Sequence, residues 1–286
     1  MNDYVLITDS TIDLPVKVLE TLNIEVIPMT FVMDEKVFVD GSMSPKEFYE
    51  SLRNKVMPAT SQISPSVYAE QFSKFAKEGK DILYVCFSSG LSGTYNSALI
   101  AAKEVMNNYP ECKIVVVDSL CASIGEGVLV YEIALKKNKG ATLEELVDWA
   151  EKNKLNICHW FVVDDLKHLQ RGGRVSQSVA LLGSMMNIKP VLILDDVGKL
   201  KLVEKVRGKL KAADYMISQI EKHAKDVHLQ TIYIVHGDCE EEAKDFENKI
   251  KEKLKVKNFV INNIGSMIGA HVGPGTLAVV FFGDKR

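Results

Sequence analysis

The feature that most constrains the fold of this chain is a regular alternation of wholly apolar and amphipathic segments between residues 82 and 135. Apolar runs at residues 82–87 and 114–117 predict strands, and each is followed by a polar turn and a segment with helical periodicity. Strands that are apolar throughout are typical of a parallel sheet covered by helices. The same order of strand, polar turn and helix occurs at residues 4–22. We therefore predict a Rossmann-like α/β domain with a parallel sheet over residues 1–155.

Two Ser-Pro pairs and one short turn add detail to this domain. The pairs at 44–45 and 64–65 predict helix N-termini, because Ser caps the first turn and Pro fits the first helical position. Alternating residues around the Asp-Glu pair at 34–35 predict a β-hairpin over residues 31–39.

Beyond residue 155, strands and helices follow in a less regular order. Apolar segments at residues 191–194 and 200–206 flank the sequence DDVGK, which predicts a second β-hairpin. An apolar segment at residues 181–186 is expected to pack in a core, although the flexible side chains of its two Met would also suit a lipid tail. These features predict an α+β domain with a mixed or partly antiparallel sheet over residues 156–286. Its other predicted elements are strands at 157–163, 231–235, 259–264 and 277–282, a short helix ending at Gly172-Gly173, and helices at 209–222 and 240–254.

Composition and charge exclude several classes of protein. Of the 286 residues, 47% are hydrophobic and 26% are charged, which is typical of a soluble globular chain. The net charge of −3 gives no basic face for wrapping nucleic acid. No apolar stretch approaches the roughly 18 residues of a membrane span, and the N-terminal sequence MNDYVLITDS does not have the pattern of a secretory signal. We therefore expect a cytoplasmic protein with no nucleic-acid partner and no integral membrane segment.

Cysteine and histidine spacing gives no pattern for a metal or a cofactor. The five Cys are scattered without a CxxC pair, which argues against a structural zinc site and a disulfide framework. His223 and His228 do not have the i, i+4 spacing that would place them on one helix face. We expect no metal and no cofactor.

Hydroxyl-rich turns follow three of the predicted strands. They lie at residues 8–11, 88–93 and 118–119, where the carboxyl end of a strand meets the next helix. Ligands of open α/β sheets bind at that edge, because helix N-termini present free backbone N–H groups. The turn at 88–93 has the composition of an anion site, and equally that of a turn whose hydroxyls only cap the next helix. Its candidate groups are Ser88, Ser89, Gly90, Ser92 and Gly93, together with Thr94.

Three further segments contain candidate ligand groups. The sequence Thr-Ser-Gln at 60–62 lies just ahead of a predicted helix N-terminus. His271 stands among glycine and proline at residues 269–275, which predicts a tight loop outside the core. Arg171 and Arg174 flank a Gly-Gly turn and suit a carboxylate or phosphate, although a surface turn is the simpler interpretation.

Two alternatives with chemistry of their own remain open from these residues. A hydrolase would use Ser92 as the nucleophile and His271 as the base, but the G-x-S-x-G elbow fails at Thr94. A phosphotransfer module would use His271 as the phosphate acceptor. A Walker-type phosphate loop is a poor match, since no Lys follows Gly93.

Over essentially its whole length the chain contains, in this order, the motifs TDSTIDLP, TSQISPS, FSSGLSGTYNSA, VVDS, LQRGGRVS and GAHVGPGT. This ordered set resembles the DegV family of bacterial fatty-acid-binding proteins. The resemblance implies a DegV-like fold with a long acyl chain buried between the two domains. It also implies that Thr60 and Ser92 hold the fatty acid carboxylate, with His271 and either Arg171 or Arg174 nearby. Supporting contacts are expected from Ser88, Ser89 and Gly93.

The resemblance also implies a partner. Some members of the family present their fatty acid to a separate fatty acid kinase, which converts the carboxylate to an acyl phosphate for phospholipid synthesis. On this basis we expect a non-catalytic, lipid-binding protein with a role in lipid transport and a palmitate-like ligand. A basic run over residues 199–211 is a candidate docking surface, although a solvated face is the simpler interpretation. Its members are Lys199, Lys201, Lys205, Arg207, Lys209 and Lys211.

The tail and the head group of such a ligand have opposite energetic effects. Burial of about fifteen methylenes at about 0.8 kcal/mol each is favourable by on the order of 12 kcal/mol before ordering costs. A carboxylate in a low-dielectric pocket is unfavourable by several kcal/mol unless its oxygens accept hydrogen bonds. We therefore expect affinity to come from the tail, and recognition of the head group from Thr60, Ser92 and His271.

Overall fold

A computed structural model describes residues 3–177, 187–284 and 286 of the chain. The predicted apolar segment at residues 181–186 lies outside the described residues. Within the described part of the chain, no helix combines the length and the apolar character needed to cross a membrane.

In chain order, the first half contains the elements β1 (Tyr4–Asp9), α1 (Val16–Leu22), β2 (Glu25–Ile27), β3 (Thr30–Met33), β4 (Lys36–Val39), α2 (Pro45–Arg53), β5 (Ala59–Ser61), α3 (Pro65–Lys77), β6 (Asp81–Cys86), α4 (Thr94–Asn108), β7 (Ile114–Asp118), α5 (Ile124–Asn138) and α6 (Leu143–Asn153). The predicted parallel sheet is confirmed: four strands lie in the order β2-β1-β6-β7, and every neighbouring pair is parallel. A separate three-stranded sheet has the order β4-β3-β5 and is antiparallel. Strand β5 and helix α6 were not predicted from the sequence.

Local sequence explains where these helices begin. The side chain of Ser44 accepts a hydrogen bond from the backbone of Glu47, whose carboxylate bonds back to the Ser44 backbone, so both halves of a capping box are present. At α3 the side chain of Ser64 accepts a hydrogen bond from the backbone N–H of Val67, and the reciprocal half of the box is not formed because Val67 has no carboxylate. The hairpin predicted at residues 31–39 is formed by β3 and β4.

The second half contains the elements β8 (Ile157–Val162), α7 (Lys167–Arg171), β9 (Ile188–Leu194), β10 (Leu200–Arg207), α8 (Lys209–His223), β11 (Thr231–His236), α9 (Glu240–Lys253), β12 (Asn258–Asn263), α10 (Ser266–Val272) and β13 (Leu277–Phe282). Six strands form a sheet in the order β10-β9-β8-β13-β11-β12. The pair β11 and β12 is parallel, and the other neighbouring pairs are antiparallel. The predicted mixed sheet and the second hairpin are therefore confirmed.

Helix α5 lies between the two larger sheets and is buried around its circumference. Its consecutive residues Val128, Leu129 and Val130 have no exposed surface, as expected for a helix that is apolar on all sides. A single hydrophobic cluster joins these residues to Leu6 of β1 and to Phe161 of β8. The apolar core is therefore continuous across the expected domain boundary near residue 155.

Helix α10 packs against elements from the first half of the chain. Its residues Met267 and Ala270 belong to the same hydrophobic cluster as Phe48 of α2. The hydroxyl of Tyr49 donates a hydrogen bond to the carbonyl oxygen of Ile264, 3.0 Å away. The strands of the two larger sheets thus come from either side of residue 155. The hydrophobic packing, in contrast, continues from one half of the chain into the other.

The tight loop predicted at residues 269–275 is wrong in its first part, because these residues complete α10. Gly269 belongs to this helix because its missing side chain permits close packing: a Cβ there would lie 2.7 Å from the hydroxyl oxygen of Tyr49. The helix ends at Gly273, whose φ is +77°. His271 therefore lies in the last turn of a packed helix and is partly buried.

Candidate functional site

A cavity of about 500 Å³ lies between the two larger sheets. This volume falls within the range of about 300–1,000 Å³ that is typical of small-molecule sites. Residues from both halves of the chain form its walls, and most of them are apolar. The apolar wall includes Met29, Phe87, Leu91, Phe161, Leu169, Leu194, Val235, Ile264, Met267, Val272 and Val280.

Four polar residues of this wall are candidate ligand groups, and we call them together the polar cluster. Its members are Thr60, Ser92, Arg174 and His271, all of which line the cavity. They come from β5, from the turn before α4, from the segment after α7 and from α10. Three of the four were predicted as ligand-binding residues, and Arg174 was one of the two arginines considered.

Thr60 and His271 are in direct contact. The Oγ1 atom of Thr60 lies 2.8 Å from the Nε2 atom of His271. The other ring nitrogen, Nδ1, is buried and has no hydrogen-bond partner in the described structure. Burial, together with the positive charges of Arg174 and Arg171, lowers the pKa of His271 to about 4. The imidazole is therefore neutral at physiological pH in the absence of a ligand.

The position of the His271 ring depends on Gly172. A Cβ at Gly172 would lie 2.1 Å from Nδ1 of His271, which is far closer than two such atoms can approach. Glycine at this position of the Gly-Gly turn therefore lets the imidazole pack directly on the backbone. This gives a structural reason for part of the RGGR motif.

Ser92 stands immediately before Gly93, the N-cap residue of α4. Its Oγ atom accepts a hydrogen bond from the backbone N–H of Thr94 at 3.2 Å and lies 2.7 Å from the Thr94 hydroxyl oxygen. When Thr94 donates its hydroxyl hydrogen, that of Ser92 is free to donate into the cavity. The positive end of the α4 dipole acts at the same place.

Gly93 and Arg174 hold the surrounding segments together. A Cβ at Gly93 would lie 2.2 Å from Oε1 of Gln62, so glycine lets the segment after β5 pack on the start of α4. The Nε atom of Arg174 donates to the carbonyl oxygen of Leu91 at 3.1 Å, and its Nη1 atom donates to the carbonyl oxygen of Gly172. The guanidinium is thereby fixed beside Ser92 and His271.

Three other predicted residues do not line the cavity. Ser88 is fully buried and donates its hydroxyl hydrogen to the carbonyl oxygen of Gly198, 2.8 Å away in the β9–β10 turn. Ser89 is exposed, and its backbone N–H donates to Asp118. Arg171 is exposed, and its Nη2 atom lies 3.1 Å from Nδ1 of His168.

The sequence analysis missed His159 and Ser123, two polar residues of the cavity wall. His159 is a single His within the apolar strand β8. Thr11, in the first of the hydroxyl-rich turns, also lines the cavity, and its Oγ1 atom lies 2.6 Å from Asp9 and 2.8 Å from Glu126. The buried carboxyl group of Glu126 was not predicted. The available signal was a Gly-Glu-Gly sequence at the start of an otherwise apolar helix, which indicates a buried acid in close packing.

The cluster of Asp9, Thr11 and Glu126 holds a shared proton. The hydroxyl of Thr11 has one hydrogen but two carboxyl neighbours, so one of these carboxyl groups must itself donate. Burial and the nearby charge of Asp9 raise the pKa of Glu126 well above its usual range. Burial raises the pKa of Asp9 as well, but hydrogen bonds from Thr11, Tyr84 and Phe87 oppose that shift, so we infer that Glu126 is the protonated partner and that Thr11 donates to Asp9. Asp9 also accepts from the hydroxyl of Tyr84 and from the backbone N–H of Phe87.

Ser92 and His271, the pair considered for a serine hydrolase, each have a different hydrogen-bond partner. The Ser92 hydroxyl is hydrogen-bonded to Thr94, and the Nε2 atom of His271 is hydrogen-bonded to Thr60. The described residues also contain no group of three or more acidic, His or Cys side chains arranged to hold a metal ion. The arrangement supplies hydrogen-bond donors and a fixed cation at one place in an apolar cavity.

The fold and the cavity define an α/β ligand-binding protein in which a parallel and a mixed sheet enclose a largely apolar site. The chain belongs to the DegV family: a family model described as "Uncharacterised protein, DegV family" matches residues 4–284. This confirms the resemblance inferred from the motifs.

The matches to individual relatives extend over essentially the whole chain. A DegV domain-containing protein of Clostridium perfringens is 42% identical over 289 residues, which cover 100% of this chain and 99% of the relative. The structure of a fatty-acid-binding DegV family protein from Thermus thermophilus matches with a TM-score of 0.89 and 29% identity, covering 99% of this chain and 100% of that one. DegV from Bacillus subtilis, described as a fatty acid binding protein, matches with a TM-score of 0.86, 29% identity and the same coverage.

Proposed function

We propose that this protein binds a long-chain, palmitate-like fatty acid, with the carboxylate at the polar cluster and the acyl tail in the apolar part of the cavity. The observation that carries the proposal is the hydrogen-bonded pair of Thr60 and His271 in the wall of an apolar cavity. The fatty-acid-binding relatives described above support the same ligand class.

A proton count explains how this pair recognises a carboxylate. A carboxylate only accepts hydrogen bonds, so the favoured arrangement has Nε2–H of His271 donating to Thr60 and the Thr60 hydroxyl donating to the ligand. The Ser92 hydroxyl, freed by Thr94, donates to the same group. Arg174 and the N-terminus of α4 add positive potential, and the anion in turn raises the pKa of His271 from its ligand-free value.

The apolar wall supplies the affinity. Transfer of each methylene from water into such a cavity is favourable by about 0.8 kcal/mol, so the tail outweighs any single polar contact. The polar cluster then sets the orientation of the ligand. Short-chain acids are excluded on this basis, because they bury too few methylenes to offset the cost of binding.

The protein acts as a non-catalytic binding subunit and presents the carboxylate to a cytoplasmic fatty acid kinase for phospholipid synthesis. Support for the non-catalytic role comes from the hydrogen bonds of the polar cluster. Ser92 is paired with Thr94, and His271, the candidate base, is paired with Thr60. The basic run over the β9–β10 turn, β10 and the start of α8 supports docking, because its six cationic residues are all exposed. Lys209 is partly neutralised, since it forms ion pairs with Asp164 and Glu242.

The proposal is tested by titrating delipidated protein with palmitate and with methyl palmitate in a calorimeter. Both ligands have the same tail, but the ester has no carboxylate to accept charge-assisted hydrogen bonds. We expect one equivalent of palmitate to bind and the ester to bind at least about tenfold more weakly. Equal affinity for both ligands would contradict the proposed role of the polar cluster in carboxylate recognition. Failure of both ligands to bind would contradict the proposed function.

A further inference from the structure

Helix α10 forms part of the cavity wall with a single face. The residues that line the cavity here are Ile264, just before the helix, and Met267, Ile268, His271 and Val272 within it. Their spacing of three and four residues places them on one side of the helix. The position of α10 therefore determines both the proposed carboxylate contact at His271 and part of the apolar wall.

Helix α10 cannot hold this position by itself. It has seven residues, Ser266–Val272, and Gly269 lies in its middle. Isolated helices shorter than about 12–15 residues are marginal in water, and an internal glycine weakens them further. The N-cap residue, Gly265, has no side chain to bond the first free N–H groups. Contacts with other segments must therefore fix the N-terminus of α10.

Asp13, between β1 and α1, supplies such contacts. Its Oδ1 atom accepts a hydrogen bond from the backbone N–H of Gly265 at 2.7 Å, and its backbone carbonyl oxygen accepts one from the side chain of Asn262 at 2.8 Å. A Cβ at Gly265 would lie 2.8 Å from the same Oδ1 atom, so glycine permits this close approach. Asp13 is buried, and loss of the carboxyl group would leave the Gly265 N–H without its acceptor.

The other carboxyl oxygen of Asp13 joins this contact to the start of α5. Oδ2 accepts a hydrogen bond from the hydroxyl of Ser123, which is the N-cap residue of α5 and lines the cavity. Both residues have positive φ, +47° for Asp13 and +54° for Ser123. Such conformations are unfavourable for residues other than glycine and persist where surrounding contacts hold them. The pair thus links the starts of two helices that border the cavity.

The contacts of Asp13 do not require a negative charge. Burial, together with the nearby charge of Asp40, raises the pKa of Asp13 to about 7, against the effect of the hydrogen bonds from Ser123 and Gly265. A neutral carboxyl group still accepts from Gly265 through Oδ1 and can donate to Ser123 through Oδ2. Asn has the same acceptor and a donor in nearly the same shape, so it should replace Asp13.

We propose that Asp13 is a positioning residue of the fatty acid site: it fixes the N-terminus of α10 and thereby places His271 for the carboxylate and the apolar face of the helix for the tail. This inference rests on the proposed function. Asp13 itself does not line the cavity, so it acts through α10.

The test compares Asp13→Ala with Asp13→Asn in delipidated full-length protein, at a temperature at which circular dichroism shows both variants folded. Calorimetric titration measures the dissociation constant of palmitate, and NMR titration of the ligand-free protein measures the pKa of His271. We expect Asp13→Ala to weaken palmitate binding by about tenfold. It should also raise the pKa of His271 from about 4 towards 6.5, because the ring loses part of its burial. Asp13→Asn should bind within about threefold of the wild type and keep the low pKa of His271.

Two further variants separate positioning from stability. Ser88→Ala is the control, because Ser88 is buried and bonded to the β9–β10 turn but does not line the cavity. It should lower the melting temperature and leave the dissociation constant and the pKa of His271 unchanged. Gly265→Ala disturbs the same contact from the other side, so it should weaken palmitate binding, and combining it with Asp13→Ala should add little.

The outcomes distinguish this inference from the function on which it rests. Asp13→Ala protein that loses stability but keeps the wild-type affinity and the low pKa of His271 would overturn the inference. Equal losses of affinity in Asp13→Asn and Asp13→Ala would also overturn it. If Asp13→Ala does not fold, Gly265→Ala decides, and wild-type affinity in that variant counts against positioning. Failure of the wild type to bind palmitate overturns the proposed function instead, whereas the pKa of His271 still reports the position of its ring.

Discussion

The Oγ1 atom of Thr60 lies 2.8 Å from the Nε2 atom of His271, although 211 residues separate them in the chain. The contact joins β5, in the small antiparallel sheet, to the last turn of α10. It depends on the packing of α10 against α2, which brings a helix of the second half onto the first. The proposed carboxylate site therefore exists only when both halves are folded together.

Thr60→Val is expected to weaken palmitate binding by about 10- to 100-fold, because it removes a donor to a charged group while keeping the side-chain shape. Calorimetric titration of delipidated protein measures the effect. The matched control is Thr21→Val, since Thr21 is exposed and bonds only to the backbone of its own helix. An unchanged dissociation constant for Thr60→Val would contradict the assignment.

Gly172→Ala is expected to weaken palmitate binding and lower the melting temperature, because the added methyl group displaces the His271 ring. A double-mutant cycle with His271→Ala isolates this cause. Without the imidazole there is nothing to displace, so Gly172→Ala should then have little further effect. Fully additive losses would show that Gly172 acts through another contact.

Ser92→Ala and Ser88→Ala are expected to have different effects. Ser92→Ala should weaken palmitate binding by about tenfold with little change in stability, because Ser92 lines the cavity. Ser88→Ala should destabilise the fold by about 1–3 kcal/mol, since it leaves the buried Gly198 carbonyl without its donor. Urea denaturation and ligand titration on both variants separate the two roles. Ser89→Ala, at an exposed neighbour, serves as the control for both measurements.

The stability of the ligand-free protein is expected to depend on pH through His159. Its pKa is about 3 in the folded state against 6.5 for an unperturbed His, so only the unfolded state gains a proton in this range. The contribution is therefore favourable above about pH 6.5 and is lost as the pH falls towards 3. His271, with a pKa of about 4, acts in the same direction, whereas Asp13, whose pKa burial raises to about 7, acts in the opposite one.

A difference measurement removes these other contributions. The free energy of unfolding of His159→Leu minus that of the wild type should rise as the pH is lowered from about 7 to about 5. The exposed His228, replaced by Leu, is the control. A pH-independent difference for His159→Leu would show that the ring is not held neutral by burial.

Periodic elements of the fold followed directly from the sequence. Two strands of the parallel sheet, β6 and β7, are apolar except at one end, and the helices at Pro45 and Pro65 have caps that local sequence specifies. Helix α10 could not be predicted in this way, because its glycines predict a loop. Its helical structure is explained by packing against Tyr49 and Phe48. The structure of α10 depends on contacts between distant segments of the chain. Local periodicity of the sequence does not predict such contacts.

The polar cluster shows the same limit. Thr60, Ser92 and His271 were identified through the motifs of the family, whereas their hydrogen bonds depend on how the halves pack. Arg174 was separated from Arg171 only by the structure, in which one lines the cavity and the other is exposed. His159 was missed because a single His in an apolar strand gives no pattern.

The central claim is that the cavity holds a fatty acid with its carboxylate at Thr60 and His271. The most direct measurement is lipid extraction and mass spectrometry on the full-length protein purified without added lipid, in parallel with Thr60→Val. We predict about one equivalent of a long-chain fatty acid in the wild type and a clear loss of loading in the variant. Wild-type protein that carries no fatty acid and takes up none when it is supplied would contradict the account.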